Sequence, residues 1–380
     1  MLAAAGFTPA QAPAPAVTGE GGIARLALLG SGTVGQAVLD RLHSWRTTDS
    51  GKGLMLVYAA NTRLALHDSA GLCPASACAQ LVGAPDIASG CESEALETTL
   101  GSRGVRILID ATADGGVARR HPEFLRAGIH VATACKLATG TSLKLWDEIR
   151  AACAEHGSGF GDRATVGAGL PLLRSIRELR AGGDRIHAIA GIMSGSLAWL
   201  FDRFDGSQPF STLVREARDR GFTEPDPRED LSGEDVRRKI LILARAAGFE
   251  LESDEVEVRS LVPPGLARLS AQHFDQELSQ IDARLATLLD AARSEGKALR
   301  FVARFENGRA RVGIEAIGPR DPLAGGAGTD NRVAIWSDRY MAQPLIIKGP
   351  GAGPEVTAAA LLDDVLGLRA AALARAPQNG

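Results

Sequence analysis

Apolar and polar positions change rhythm twice along this chain. From Ile23 a short apolar run, IARLALLG, ends at Gly30 and gives way to TVGQAVLDRLHSW, whose apolar residues recur at helical spacing. LMLVYAAN, ending at Asn61, VRILIDATAD (105–114) and IHVATAC (129–135) are further buried-strand candidates. HPEFLRAG (121–128) reads as a helix between the last two, and a longer helical pattern covers 143–156. Strands alternating with helices predict an α/β fold with a parallel sheet covered on both faces. They also place a ligand crevice at the carboxyl ends of the strands.

The middle of the chain is different. Helical patterns cover 171–180, 197–204, 212–220 and 233–247, followed by an amphipathic stretch at 276–295. Strand-like runs come next: ALRFVARF, RARVGIEAI, NRVAIW and QPLIIK. A last helix, VTAAALLDDVLGL, follows GPGAG. Strands with helices grouped beside them predict a second, α+β domain, a natural place for a subunit interface.

Composition narrows the function class. A length of 380 residues suits two domains, and 45% hydrophobic residues suffice for sizeable cores. Net charge is −3 with no Lys/Arg-rich run, and aromatics make up 4%, so no nucleic-acid partner is expected. The five cysteines, Cys73, Cys78, Cys91, Cys135 and Cys153, are odd in number and lack CxxC spacing, which fits reduced thiols in a cytoplasm. No stretch is apolar for long enough to span a bilayer, so no membrane partner is expected. Residues 1–22 are Ala, Pro and Gly rich without the charge pattern of a targeting peptide, and read as a disordered lead.

Candidate chemistry begins at Gly30-Ser31-Gly32-Thr33-Val34-Gly35, between a predicted strand and a predicted helix. Gly30 permits the tight turn, Gly32 lets a pyrophosphate approach the backbone, and Gly35 lets helix and strand pack closely. Thr33 and Val34 open the helix, whose N-terminus favours an anion. The next strand ends in Asn61-Thr62-Arg63 rather than in an acid for ribose hydroxyls. With a guanidinium available for a 2′-phosphate, NADP(H) is favoured over NAD(H); the plain alternative is a surface arginine in a loop.

A second feature, Gly221-Phe222-Thr223-Glu224-Pro225-Asp226-Pro227-Arg228-Glu229-Asp230, packs four carboxylates and two stiffening prolines into ten residues. Such a loop is suited to hold the ammonium group of an amino acid; an ordinary solvated loop is the other reading. Ser232 then reads as an N-cap with Asp235 three residues on, as in a capping box. Asp235 and Lys239 share a helix face. The apolar Ile240–Leu243 run marks a largely buried helix, making Lys239 a candidate proton donor rather than one half of a surface pair.

With these residues in view the chain resembles bacterial homoserine dehydrogenases, above all the dehydrogenase half of fused aspartate kinase–homoserine dehydrogenases. The resemblance runs from about Ile23 to Leu368 through ATVGAGLPLL, GIMSGSLAWLF, GFTEPDPREDLSGEDVRRKILILAR and GPGAGPEVTAAA; no kinase module is expected within it. It implies a Rossmann-type doubly wound domain over 23–165 completed by 345–370, and a substrate and dimerisation domain over 166–344. It implies reversible reduction of L-aspartate 4-semialdehyde to L-homoserine by a homodimer, in threonine and methionine biosynthesis. Carried over by position, Lys239 and Asp235 are the catalytic pair, and Lys136 sits between nicotinamide and substrate. Glu224 and Asp230 bind substrate, with Gly195, Ser196 and Phe222 at its pocket. Thr112, Ala113, Gly351 and Ala352 join the cofactor contacts.

Three positions depart from the family pattern. Cys135 replaces the asparagine usual before Lys136, and Phe222 replaces a tyrosine. Arg163 stands where an acidic residue is common, in a region that in the family can hold a monovalent cation. No metal is therefore expected, Arg163 replacing the cation and donating to nearby carbonyls. These departures also leave open a related reductase for another small amino-acid aldehyde, or a catalytically silent NADP-binding subunit.

Overall fold

The computed structural model describes residues 22–83, 93–325 and 328–375. The lead expected at 1–22 thus lies outside the described residues except for Gly22, as does Cys91. Two six-stranded sheets organise the chain. The first runs β3-β2-β1-β4-β5-β6, from β1 (Ala24–Leu29), β2 (Leu54–Ala60), β3 (Ala65–His67), β4 (Val105–Asp110), β5 (His130–Thr133) and β6 (Phe160–Gly161).

Five of these strands are parallel, as the alternating pattern requires. The outer strand β3 is not: it folds back antiparallel on β2 through a tight turn in which the Asn61 amide donates to the Leu64 carbonyl at 3.0 Å. The return to β4 passes through two helices, Pro74–Val82 and Ser93–Leu100, that the sequence pattern did not announce. Both are short and rich in Ala, Ser and Thr, so their apolar stripe is thin.

The second sheet runs β12-β11-β7-β9-β10-β8. Its strands are β7 (Ile186–Ile192), β8 (Val256–Val258), β9 (Ala298–Glu306), β10 (Arg309–Ile317), β11 (Asp330–Ser337) and β12 (Leu345–Pro350). Every neighbouring pair is antiparallel except β8 with β10. Central β7 was not expected, because its apolar run leads straight into helix Gly195–Arg203 and merges with the helical pattern. One face carries Ile189, Phe301, Phe305, Val333 and Ile335 into a core shared with helices Leu172–Ala181, Gly195–Arg203 and Glu234–Ala246. The other face gathers Ala190, Ile192, Val302 and Ala334 into a smaller cluster beside half-buried Trp336.

One expected boundary moves. Residues 345–350, assigned with the cofactor domain, instead pair with β11 in the second sheet. The segment that returns to the first sheet is helix Pro354–Arg375, whose Ala358, Leu361, Leu362 and Val365 share a core with Leu28, Leu39 and Ile109. Arg369 on that helix donates to the Gly22 carbonyl through Nε at 3.0 Å and a terminal nitrogen at 2.7 Å. Truncating a fully buried leucine here, such as Leu361, costs about 2–5 kcal/mol.

Candidate active site

The glycine-rich turn follows β1. Gly30 has φ +96°, and a Cβ there would stand 2.9 Å from the Ala111 carbonyl oxygen. A Cβ on Gly35 would come within 2.0 Å of the Gly30 carbonyl oxygen, so helix Thr33–Trp45 seats on the turn only with glycine there. Around Gly32 nothing lies within 4 Å of the missing Cβ, and no side chain caps the helix that starts beside it. Thr33 and Val34 form its first turn. The turn is thus tight at Gly30, open at Gly32 and closely packed at Gly35, a geometry that would fit a dinucleotide pyrophosphate.

Asn61 shapes this turn. Its Nδ2 donates to Ser31 Oγ at 2.9 Å and to the Leu81 carbonyl at 3.0 Å, while Oδ1 accepts the backbone N–H of Arg63 and of Leu64 at 2.8 Å each. That uses its full amide capacity, so its side chain fixes the turn and presents Arg63, half-buried in the β2–β3 connection. After β12, the Gly351–Ala352 loop presses on Asn331. A Cβ on Gly351 would stand 1.9 Å from the Asn331 carboxamide carbon. Asn331 is 1% exposed and its Nδ2 finds no partner among the described residues, leaving a donor directed at this loop.

Helix Glu234–Ala246 supplies the charged centre. Its N-cap is Gly233 at φ +79°, not Ser232 as expected. Ser232 closes the preceding short helix Arg228–Leu231, and its hydroxyl donates to the Glu229 carbonyl at 2.9 Å. The reason is steric: the chain turns sharply between the two helices, where a Cβ on Gly233 would meet the Phe301 ring at 2.9 Å. Asp235 is therefore not engaged in a capping box, and its carboxylate faces two lysines instead.

Lys239 Nζ lies 2.6 Å from Asp235 Oδ2, and Lys136 Nζ lies 3.4 Å from Oδ1. Burial alone would raise the Asp235 pKa, but Lys239 and then Lys136 outweigh it and hold the carboxyl at about 2. Its side chain keeps 43% exposure, whereas that of Lys239 keeps only 12%. Lys239 also donates to the Met193 carbonyl at 2.8 Å, just past the end of β7.

The segment after β7 joins this centre to the acidic loop. Ser194 Oγ and Ser196 Oγ are 2.9 Å apart, and Ser196 donates to Asp230 Oδ1 at 2.7 Å. Asp230 Oδ2 accepts the backbone N–H of Glu224 at 2.9 Å, leaving the Glu224 carboxylate exposed. Gly195 packs on Thr329, whose carbonyl oxygen would lie 3.2 Å from a Cβ. Phe222, 40% exposed, stacks on Trp199 with ring centroids 5.2 Å apart. Asp226 turns away to Arg228, whose hydrogen bond holds its carboxyl below the ordinary range.

The departures find definite surroundings. Cys135 is buried, and burial pushes its thiol up to about 11, so it is no nucleophile at neutral pH. Arg163 does not turn to carbonyls as expected. Its Nε stands 3.0 Å from Asp364 Oδ1, and its backbone N–H donates to Oδ2 at 2.9 Å. Neighbouring Asp162 takes a two-pronged bond from Arg177 at 2.6 and 2.8 Å. Burial, then the nearby Asp162 charge, push Asp364 up to about 7.

Arg245 was missed in the sequence. Its side chain is 1% exposed and donates to the carbonyls of Thr139 at 2.7 Å, Thr141 at 2.8 Å and Leu251 at 2.8 Å. It ties the loop after Lys136 to the helix of Asp235 and Lys239. Burial pulls its pKa down to about 10. Removing such a cation and stranding its acceptors costs about 3–5 kcal/mol. A lone arginine inside the apolar run ILILARAAG was the available signal.

A nucleotide-type glycine turn at the strand ends of one domain, together with a lysine–carboxylate centre that Lys136 of that domain joins through Asp235, defines a dinucleotide-dependent oxidoreductase. Family patterns agree: residues 30–160 match the homoserine dehydrogenase NAD binding domain, and residues 171–366 match homoserine dehydrogenase. The chain belongs to the homoserine dehydrogenase family. It is 35% identical over 358 residues to a homoserine dehydrogenase of Emericella nidulans, covering 90% of this chain and 97% of that one. It is 46% identical over 260 residues to the bifunctional aspartokinase/homoserine dehydrogenase 2 of Escherichia coli, covering 68% of this chain and 32% of that protein. The match thus spans about a third of the bifunctional relatives' length. Among solved structures, a Candida auris protein of unknown function superposes with TM-score 0.83 at 34% identity, covering 90% of this chain and 97% of that one. A hyperthermophilic archaeal homoserine dehydrogenase in complex with NADPH shares the fold, with TM-score 0.69 at 21% identity, covering 90% and 96%.

Proposed function

We propose that the chain catalyses the reversible, NADP(H)-linked interconversion of L-aspartate 4-semialdehyde and L-homoserine. The observation that carries this is the deeply set Lys239 held between Asp235 and the Met193 carbonyl, beside an acidic loop suited to an amino acid. When bound, the reduced nicotinamide supplies hydride to the aldehyde carbon. The developing oxygen charge is met by the Lys239 ammonium, which then gives up a proton to that oxygen.

Asp235 is not the proton donor on this account. The two lysines keep its carboxyl at about 2, so it is ionised at neutral pH and acts by orienting Lys239 and Lys136. Glu224 offers its exposed carboxylate to the substrate ammonium, and Asp230, fixed by Ser196 and the Glu224 N–H, adds a second negative charge. Gly195 and Ser196 line the pocket, with Phe222 at its rim. Thr112, Ala113, Lys136, Gly351 and Ala352 approach the nicotinamide end; the buried, unpaired Asn331 amide behind Gly351 supports a ligand there.

Arg63 and the absence of a carboxylate among Asn61-Thr62-Arg63 support preference for the 2′-phosphorylated cofactor. The second sheet's other face, with Ile192, Trp336 and exposed Ile346 among its residues, supports a homodimer formed there. No helix among the described residues is long and apolar enough to cross a membrane. The four free cysteines among those residues support a cytoplasmic enzyme.

The deciding assay follows NADPH oxidation with L-aspartate 4-semialdehyde, beside the same assay on Lys239→Ala. Rapid turnover abolished by the substitution is expected. A folded protein that binds NADPH yet leaves this aldehyde untouched assigns the pocket to another substrate or to none.

A further inference from the structure

Beneath the loops that follow β4 and β5 lies a polar cluster that the assignments above leave unexplained. Asp110 ends β4 and His121 lies at the start of helix His121–Arg126; both side chains are fully buried, with His121 Nε2 2.9 Å from Asp110 Oδ2. The same carboxylate oxygen receives the Thr133 hydroxyl at 3.0 Å. The other, Oδ1, receives the backbone N–H of Thr112 at 2.9 Å and its hydroxyl at 2.7 Å.

The donor sense is fixed by what each group does next. Thr133 Oγ1 accepts the Cys135 N–H at 2.9 Å, and Thr112 Oγ1 accepts the Asp114 N–H at 3.2 Å. Each hydroxyl has one proton, and with a backbone N–H arriving at its oxygen it turns that proton toward Asp110. Three donors thus converge on Asp110, and as a carboxylate its fourth lone-pair position is matched by the Nε2–H tautomer of His121. His121 Nδ1 is buried without a partner among the described residues, and the imidazole packs on Phe160 with ring centroids 5.7 Å apart. A fully buried polar ring with one unmatched nitrogen is costly to keep where a phenyl would fill the space.

What the cluster spans is specific. Through Thr112 it holds residues 112–114, and through Thr133 it holds 133–135, immediately before Lys136. One carboxylate thus fixes two loops on adjacent strands. We propose that Asp110 and His121 are a buried positioning pair that sets the spacing of these loops and so aims Lys136, a proposal that rests on the assignment of Thr112, Ala113 and Lys136 to the nicotinamide end.

His121→Phe fills the slot and removes only the donor; His121→Gln restores an N–H near the Nε2 position. Amide hydrogen exchange in the cofactor-free protein is the primary readout. His121→Phe should speed exchange in 112–114 and 134–136 at least tenfold, leaving β1 and the second sheet unchanged, and His121→Gln should return it to within about threefold. Thr133→Val, should His121→Phe not fold, should loosen 112–114 as well as its own loop, because the two share Asp110. In the loaded enzyme, kcat should fall tenfold or more in His121→Phe with the NADPH Kd changed less than threefold, and recover in His121→Gln.

Exchange faster everywhere, exchange unchanged, or loosened loops with wild-type kcat each overturn the pairing as a positioning device. The wider assignment is tested separately by Lys136→Met. Wild-type kcat and NADPH affinity in that variant dismiss the loops as nicotinamide contacts, while hydrogen exchange still reports whether Asp110 and His121 hold them.

Discussion

Asp235 and Lys239 stand four residues apart on one helix with their charged atoms 2.6 Å apart, and the lysine is the deeper of the two. Depth and pairing give them different work: the carboxylate stays ionised, and the ammonium is the group with a proton to lend. Lys239→Ala is expected to lower kcat by about 10²–10⁴-fold, the range for a lost general acid. Lys239→Arg keeps the charge but does not release a proton, and should remain at least tenfold below wild type. Steady-state NADPH oxidation measures both, and an arginine variant at full activity would show that charge alone suffices.

Cofactor choice is expected to reside in Arg63. Arg63→Ser should reduce the ratio of kcat/KM for NADPH over NADH by about tenfold, roughly 1.4 kcal/mol of lost phosphate recognition. The change should fall on the NADPH value. An unchanged ratio would return Arg63 to the status of an ordinary loop residue.

Stability should vary with pH in two separate windows. The Asp235 carboxyl is depressed from 3.8 to about 2, so its contribution is complete above about pH 4 and is lost as pH falls toward 2. Asp364 is displaced oppositely, from 3.8 to about 7, chiefly by burial. A raised carboxyl favours the folded state while protonated, so its contribution is complete below about pH 4, declines as pH rises toward 7 and is level beyond. The melting temperature of wild type should therefore drop between about pH 4 and pH 7, and Asp364→Asn should flatten that drop. Thermal melts across this range decide it; an equal drop in the variant would assign the effect elsewhere.

Potassium should leave activity unchanged. The Arg163 guanidinium already answers the Asp364 carboxylate at 3.0 Å, placing a fixed positive charge in this region. A titration of KCl against a choline chloride control at constant ionic strength should be flat. Several-fold stimulation would mean that a cation still binds beside Asp162 despite Arg163.

Phe222 is exposed enough to accept a hydroxyl without repacking, since its ring rests on Trp199 and 40% of the residue meets solvent. Phe222→Tyr should leave the melting temperature within a degree or so and raise kcat/KM by up to about fivefold, the worth of one hydrogen bond near 1 kcal/mol. A loss of activity would indicate a pocket adapted to a less polar substrate.

How much was readable in advance depends on how local each cause is. The Gly30–Gly35 turn was legible because two of its causes, the positive φ of Gly30 and the packing of Gly35 on the Gly30 carbonyl, lie within six residues; the approach of Ala111 to Gly30 was not. Asp235 and Lys239 were legible because a helix brings i and i+4 together whatever surrounds it. Ser232 was misread as a cap because what selects Gly233 is Phe301, 68 positions away in another strand. Arg163 was expected to face carbonyls, and its partner is a residue of the C-terminal helix. Asp110 and His121 went unremarked because an acid ending a strand and a histidine opening a helix are each unexceptional. Only the fold makes them a pair.

Helix Pro354–Arg375 gives this architecture an order of completion. Its apolar face closes a core whose other members, Leu28, Leu39 and Ile109, lie in the first third of the chain. During synthesis those residues emerge long before their cover. The cofactor domain is completed only after the substrate domain that interrupts it, and must keep an apolar flank from straying contacts while that domain is made. Mutations that thin this late-arriving helix should therefore reveal themselves first in yield and aggregation during expression, before they register in the kinetics of the molecules that survive.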